Sequence, residues 1–271
     1  MGFLNWDFTM KNKLKFCIGF LLTVFTLNLY AQDKSEFLKA TLIEDEDTLS
    51  YRILYPKNFN PAEKYPLVLF LHGAGERGGD NEKQLVHGSS LFLNQENREN
   101  FPAVVIFPQC PSSEYWAKAD IVRSTEGNTF RFDYSGTPNK SLGLVMKLLD
   151  QYSQNHFIDQ NRLYVGGLSM GGMGTFEILS RMPNTFAAAI AICGAGNPYS
   201  VGNYADKTDL WVFHGAKDDV VDPEYSKEMV KSLKAAGANV KFTLYPEANH
   251  NSWDPAFAEP ELLTWLFSNS K

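Results

Sequence analysis

The segment Arg162-Leu163-Tyr164-Val165-Gly166-Gly167-Leu168-Ser169-Met170-Gly171-Gly172-Met173 packs four glycines around one serine. An apolar, strand-like run at 163–165 precedes the serine, and a helix-period run at 170–181 follows it. A turn that joins strand to helix this abruptly leaves almost no room beside its central residue. The flanking positions must then be nearly free of side chain, which accounts for the glycines. The same geometry lifts the Ser169 hydroxyl above the sheet at a helix N-terminus, the arrangement of a nucleophile elbow.

Outward from this turn, short β-branched and apolar runs alternate with helix-period segments. That pattern predicts an α/β fold with a mostly parallel central sheet and helices on both faces. Strands are expected at 67–71, 104–107, 163–165, 187–192, 210–213 and 240–245, and helices at 142–155, 170–181, 223–236 and 259–267. Pro223 and Pro260 suit first helical turns. Earlier in the chain, 37–43 and 50–55 flank the acidic run 44–47 and predict an N-terminal antiparallel hairpin with a solvated turn. Residues 109–140 read as one long irregular loop carrying Tyr115, Trp116, Phe130, Phe132 and Tyr134.

The 271 residues are 44% hydrophobic, 14% aromatic and 21% charged, a composition that excludes disordered and collagen-like chains. The net charge is −6 and the basic residues form no cluster beyond the N-terminus, so no nucleic-acid partner is expected. Lys11, Lys13 and Lys15, an apolar run at 16–29 and Ala31 have the layout of a secretory signal peptide. The apolar run falls short of the ~20 residues a membrane-spanning helix needs, so no stable membrane span is expected. The expected division is a signal peptide over 1–31 and a single catalytic domain over 32–271, in a secreted or periplasmic protein. Cys110 and Cys193 read as buried small apolar residues. No HExxH, paired CxxC or nucleotide-binding glycine loop appears, so no metal and no organic cofactor is expected.

A serine hydroxyl is a weak nucleophile until a base takes its proton and a carboxylate orients the base. Of the five histidines, His72 and His214 each precede a glycine at a strand end and suit backbone bonding in turns. His87 and His156 fall in polar, surface-like segments. His250 follows the last strand, in the Ser…Asp…His order this elbow requires. The loop after the preceding strand offers Asp218, Asp219 and Asp222. Asp222 suits the N-cap of the helix opened by Pro223; Asp218 is preferred as the acid, and spacing leaves Asp219 a competitor. A tetrahedral oxyanion needs two preorganised N–H donors. Met170, after the nucleophile, and Ala74, in His72-Gly73-Ala74-Gly75-Glu76-Arg77-Gly78-Gly79, are the candidates. Glu76 and Arg77 are expected to pair and hold that loop, with contact from Arg77 to an anionic substrate as the alternative.

Together these residues resemble the α/β-hydrolase superfamily. More narrowly, they resemble its small secreted serine esterases related to the polyhydroxybutyrate depolymerase, feruloyl esterase and dienelactone hydrolase groups, which include phospholipase/carboxylesterase and peptidase-like relatives. The resemblance runs from about Tyr51 to Phe267. It rests on the 71–78 segment, Pro108-Gln109-Cys110-Pro111 with Trp116, the Ser169 elbow, His214-Gly215-Ala216-Lys217-Asp218 and His250-Asn251-Ser252-Trp253. It implies an α/β-hydrolase fold and a Ser169–His250–Asp218 triad, with the acid four residues after the histidine of His-Gly, which favours Asp218 over Asp219. The implied sheet order separates the strands before Cys110 and Cys193, so no disulfide is expected. It also implies an optional cap after the strand ending near Ile192; only 193–209 intervenes here, so no large cap is expected. The cleft should be open, roofed by the 109–140 segment and Trp253, with Trp116 and Trp253 as substrate-binding candidates. The implied substrate is a carboxylic ester, acetyl, feruloyl or of another acyl group, with polysaccharide-linked esters among the forms. A serine peptidase of the prolyl oligopeptidase type is the alternative, though relatives of that type carry a large N-terminal gating domain. A non-catalytic binding module is the third class, and such a chain would be expected to have lost a triad or oxyanion residue.

Overall fold

Every residue of Tyr65-Pro66-Leu67-Val68-Leu69-Phe70-Leu71 is buried. A strand without a solvent-facing side must lie inside a sheet covered on both faces. A computed structural model of the chain, which describes residues 33–125 and 127–271, shows that arrangement; the signal peptide expected over 1–31 lies outside the described residues. The strands are β1 (Leu38–Glu44), β2 (Asp47–Leu54), β3 (Tyr65–Leu71), β4 (Val104–Pro108), β5 (Ala119–Ser124), β6 (Gly127–Phe132), β7 (Ile158–Leu168), β8 (Ala188–Ile192), β9 (Asp209–Gly215) and β10 (Val240–Tyr245). Eight of them form one sheet in the order β1-β2-β4-β3-β7-β8-β9-β10. The pairs from β4 to β10 are parallel, whereas β1–β2 and β2–β4 are antiparallel.

The helices are α1 (Ser89–Leu93), α2 (Gln95–Asn100), α3 (Lys140–Ser153), α4 (Met170–Arg181), α5 (Pro223–Ala235), α6 (Trp253–Phe257) and α7 (Leu262–Ser268). Successive strand side chains point to opposite faces, and β3 divides accordingly. Leu67, Leu69 and Leu71 join the core under α3, α4 and α5. Val68 and Phe70 join the core under α1, α6 and α7. Each large apolar side chain buried this way contributes roughly 1.5–3 kcal/mol. The expected α/β-hydrolase architecture, with helices on both faces and an N-terminal hairpin, is therefore present. The acidic turn of that hairpin faces α3, with Lys147 on Glu44 (2.6 Å) and Lys140 on Asp47 (2.9 Å).

Three local expectations are corrected. The central strand predicted at 163–165 is longer, because Ile158 also pairs with Tyr65 across an irregularity between Tyr65 and Leu67, and Gly166 and Gly167 continue the pairing along β3. The last helix starts at Leu262, past Pro260, and the separate turn α6 covers Trp253–Phe257. The segment 109–140 is not one irregular loop, since β5 and β6 form an antiparallel hairpin within it, with Ile121 opposite Phe130 and Arg123 opposite Asn128. Buried Glu177 on α4 anchors its base, accepting from the Lys118 amide (2.6 Å) and pairing with Arg181, which also donates to the Gly136 carbonyl (2.9 Å). Burial raises the Glu177 carboxyl above its ordinary range, and those bonds only partly offset it.

Cys110 and Cys193 are buried and free, at the ends of β4 and β8 with β3 and β7 between them. Among the described residues, no helix is long and apolar enough to cross a membrane.

The elbow glycines are required by backbone, not by side chains. A Cβ on Gly167 would lie 2.3 Å from the Gly171 carbonyl oxygen, and one on Gly171 would lie 1.9 Å from that of Leu71. Because strand ends cannot shift as a flexible side chain can, Gly171→Ala should lose at least about 3 kcal/mol of stability, measured by urea unfolding against the wild-type chain.

Candidate active site

Ser169 occupies the turn between β7 and α4 with φ 53° and ψ −118°. A non-glycine residue held there stores about 1–3 kcal/mol of strain. The surroundings impose it: the Ser169 amide donates to the Ile192 carbonyl (2.8 Å), and the Met173 amide donates to the Ser169 carbonyl (3.0 Å).

His250 Nε2 lies 3.0 Å from Ser169 Oγ, and its Nδ1 lies 2.8 and 3.0 Å from the two Asp218 carboxylate oxygens. A carboxylate only accepts, so Nδ1 carries the proton and Nε2 presents a lone pair to the serine hydroxyl. The loops bearing Asp218 and His250 are joined backbone to backbone, with the Ala216 amide on Tyr245 O (2.9 Å) and the Lys217 amide on Ala248 O (3.0 Å). Asp219 is exposed and its amide donates to Asn249 Oδ1 (3.2 Å), while Asp222 caps α5 by accepting from the Glu224 amide (2.9 Å). Of the three aspartates, Asp218 alone meets His250.

Asp218 is also held by groups the sequence reading did not assign to it. Its Oδ1 accepts from the Val220 and Val221 amides (2.9 Å each), and His214 Nε2 lies 3.1 Å from its Oδ2. The other neighbour of that nitrogen, the Val221 carbonyl at 2.9 Å, also accepts, so Nε2 of His214 is protonated and donates. Burial opposes ionisation of Asp218, but the hydrogen bonds from His214 and His250 outweigh it and hold the carboxyl well below the usual range. The four-residue spacing from His214 to Asp218 was the available signal for this contact.

Met170 opens α4, and Ala74 opens a single 3-10 turn at Ala74–Glu76, so their amides are among those a helix leaves without an internal partner. Both flank Ser169, one in chain and one across a cleft of about 240 Å³ whose wall includes Gly73, Ala74, Ser169 and His250. Trp253 also lines it, edge-on to His250 with centroids 5.4 Å apart.

Trp116 is placed differently from the expectation. It is fully buried, its indole donates to the His72 carbonyl (3.1 Å), and it does not line the cleft. Trp116 therefore supports the Gly73–Ala74 backbone from behind. The Glu76–Arg77 pair is also absent. Arg77 donates to the carbonyls of Ala74, Ser112 and Glu114, and Glu76 faces His87 at 3.7 Å. His87, read from sequence as a surface residue, packs against Trp253 with centroids 5.0 Å apart and lines the cleft.

Among the described residues, the group with metal-ligand spacing is Cys193, Asp218 and His250, within 4.8 Å of one another. Burial raises the Cys193 thiol and keeps it protonated, and both Asp218 oxygens already accept hydrogen bonds, so these donors suit a proton relay better than a cation.

Residues 60–259 match the phospholipase/carboxylesterase family. The chain belongs to that family. The structures it resembles share its α/β-hydrolase fold. It is similar to a solved thermostable esterase, with 36% identity and a TM-score of 0.77, covering 88% of this chain and 64% of that one. It is 28% identical to acetylxylan esterase A of Emericella nidulans, over 86% of this chain and 73% of that protein. A bifunctional acetylxylan esterase/xylanase of Neocallimastix patriciarum is 27% identical over 65% of this chain, which spans only 22% of that protein's length.

The support beneath the cleft carries a pH dependence. His72 Nδ1 donates to the Gly73 carbonyl (2.6 Å), and its Nε2 accepts from the Cys110 amide (3.0 Å). Burial pushes this imidazole down to about 4. In the unfolded chain it takes up a proton near 6.5, so the unfolded state binds more protons between the two values. Stability is thus lost as pH falls from about 6.5 toward 4, by about 3 kcal/mol for this group. Urea unfolding at pH 7 and pH 4.5 should show the loss, and His72→Gln should show a smaller difference between the two pH values.

Proposed function

We propose that the chain is an exported serine esterase whose residues 32–271 act as one catalytic domain. In this reading, Ser169 Oγ bonds to the ester carbonyl carbon as its proton passes to His250 Nε2. The amides of Met170 and Ala74 hold the resulting oxyanion. His250 then returns the proton to the departing alcohol oxygen, which leaves the acyl group on Ser169. A water molecule attacks that acyl carbon, giving its proton to His250, and the carboxylic acid departs as Ser169 regains its hydrogen. Asp218, kept ionised, holds the imidazole in the working tautomer and stabilises its protonated form. The observation that carries the reading is the continuous hydrogen-bonded line from Asp218 through His250 to Ser169 at the cleft wall.

The substrate class we propose is a short or aromatic acyl ester, acetyl or feruloyl among them, on a polyhydroxylated alcohol such as a polysaccharide. Two observations support it. The cleft continues past Asn128 and Val220 into a larger groove of about 800 Å³, lined by hydroxyl and carboxylate groups including Ser124, Thr129, Asp219 and Tyr225. The relatives named above include acetylxylan esterases. A serine peptidase would use the same residues, and no feature of the cleft favours an amide over an ester.

The purified chain and three variants, assayed on 4-nitrophenyl acetate, methyl ferulate and a proline-containing peptide anilide, test this reading. Ser169→Ala should abolish ester turnover. Asp218→Asn should lower kcat by about 10⁴-fold through the wrong imidazole tautomer, and Asp219→Asn should change it by less than about threefold. Cleavage of the anilide alone would replace the esterase by a peptidase.

A further inference from the structure

Two arginines stand beside the cleft in unlike situations. The guanidinium of Arg77 is engaged through Nε and Nη1: Nε donates to Ala74 O (3.0 Å), Nη1 donates to Ser112 O and Glu114 O (3.2 Å each), and the group lies over the Tyr115 ring at 5.6 Å. Arg123 lines the cleft from the opposite wall, on the face of the β5–β6 hairpin that also presents Ile121, Asn128 and Phe130. Among the described residues, its side chain forms no ion pair and no hydrogen bond.

The support under Arg123 is firm although its side chain is free. Asn128, its cross-strand partner, donates to the Val220 carbonyl (2.9 Å), and the Phe130 amide donates to Tyr225 Oη (3.0 Å). The hairpin is thereby tied to the loop after Asp218 and to α5. Of the other titratable groups of the cleft wall, Glu76 faces His87, His250 pairs with Asp218, and the Tyr115 phenol lies near enough to Arg123 to feel its charge. Among the described residues Arg123 is thus the cation left available in that wall, where Tyr115, Ile121 and Phe130 are its apolar and aromatic neighbours and Asn128 stands opposite it on the hairpin. Apolar neighbours raise the strength of a charge-assisted contact, and a guanidinium fork matches the geometry of an oxyanion. With a net charge of −6 on the chain, the overall field gives an anionic substrate no help, so any preference for one has to arise locally. The adjoining groove carries Asp219, Asp222, Glu224 and Glu228 and no Lys or Arg among its lining residues, so it repels a polyanion.

We infer that Arg123 is a specificity-determining residue that binds a single oxyanionic group, of carboxylate type, carried by the substrate beyond its scissile ester. This rests on the esterase reading of Ser169, and it adds a charge requirement to the substrate. The carboxylate can stand on either side of the ester, and paired probes separate the two. On the acyl side, 4-nitrophenyl hydrogen glutarate is compared with its methyl ester. On the alcohol side, 4-acetoxybenzoate is compared with its methyl ester. The readout is the anionic-to-neutral ratio of kcat/KM, taken for the wild-type chain and for Arg123→Gln, with the thermal midpoint checking that the variant is folded.

In one of the pairs, Arg123→Gln should lower this ratio by roughly tenfold, chiefly through KM. Arg123→Lys should retain part of it, and raising the salt from 0.05 to 0.5 M should lower the wild-type ratio. Ser169-dependent hydrolysis with ratios unchanged by Arg123→Gln in both pairs overturns this inference and leaves the esterase standing. Failure of the wild-type chain to hydrolyse any of the four esters removes the esterase reading and this inference with it.

Discussion

The backbone of the elbow runs so close to the end of β3 that a single methyl group at position 171 would sit 1.9 Å from the Leu71 carbonyl oxygen. That approach locks three elements together: β3, which leads into the Gly73–Ala74 segment; β7, which delivers Ser169; and α4, which starts at Met170. Ser169 and both candidate oxyanion donors are therefore positioned by one contact between backbones. The strained φ of Ser169 is its local consequence, sustained by hydrogen bonds to β8 and within the first turn of α4.

Around this rigid centre the remaining parts are delivered by loops, and each loop is stiffened by buried polar groups. Asp218 is the clearest case. A carboxylate this buried is unfavourable alone, and two imidazoles and two amides surround it until ionisation becomes favourable. His72 plays the same part beneath the oxyanion segment, bridging Gly73 to Cys110 with Trp116 behind it. Glu177 does so for the hairpin roof, since its buried carboxylate connects α4 to the base of β5. The cleft therefore has a fixed floor and a tethered roof, and Arg123 is the charged side chain of its wall that has no ion pair or hydrogen bond among the described residues.

Much of the fold was legible because its signals are local. Short apolar and β-branched runs marked β3, β4 and β7 to β10, and helical periodicity marked α3, α4 and α5. The β5–β6 hairpin was not legible. Asp120, Arg123, Thr129 and Arg131 interrupt its apolar residues, and one face of it covers a cleft instead of a core, so the burial that normally writes the pattern is only partial. Trp116 was misplaced for a related reason. An aromatic residue in a long connecting segment reads the same whether it faces a ligand or the underside of a backbone, and its indole N–H found the His72 carbonyl.

The sequence by itself determined the sharp turn that carries Ser169, the strand and helix on either side of it, and the class of fold, because a turn this tight restricts its own neighbours and leaves that restriction in the glycine spacing. Only the tertiary structure decided which aspartate meets His250, that His214 shares the load, that His87 and Trp253 line one cleft, and that Arg77 is engaged while Arg123 has no partner among the described residues. Ser169 and His250 are 81 residues apart, and Asp218 and His250 are 32 apart. Contacts across such separations depend on how loops from different strand ends pack against one another, and no spacing within a single segment records that.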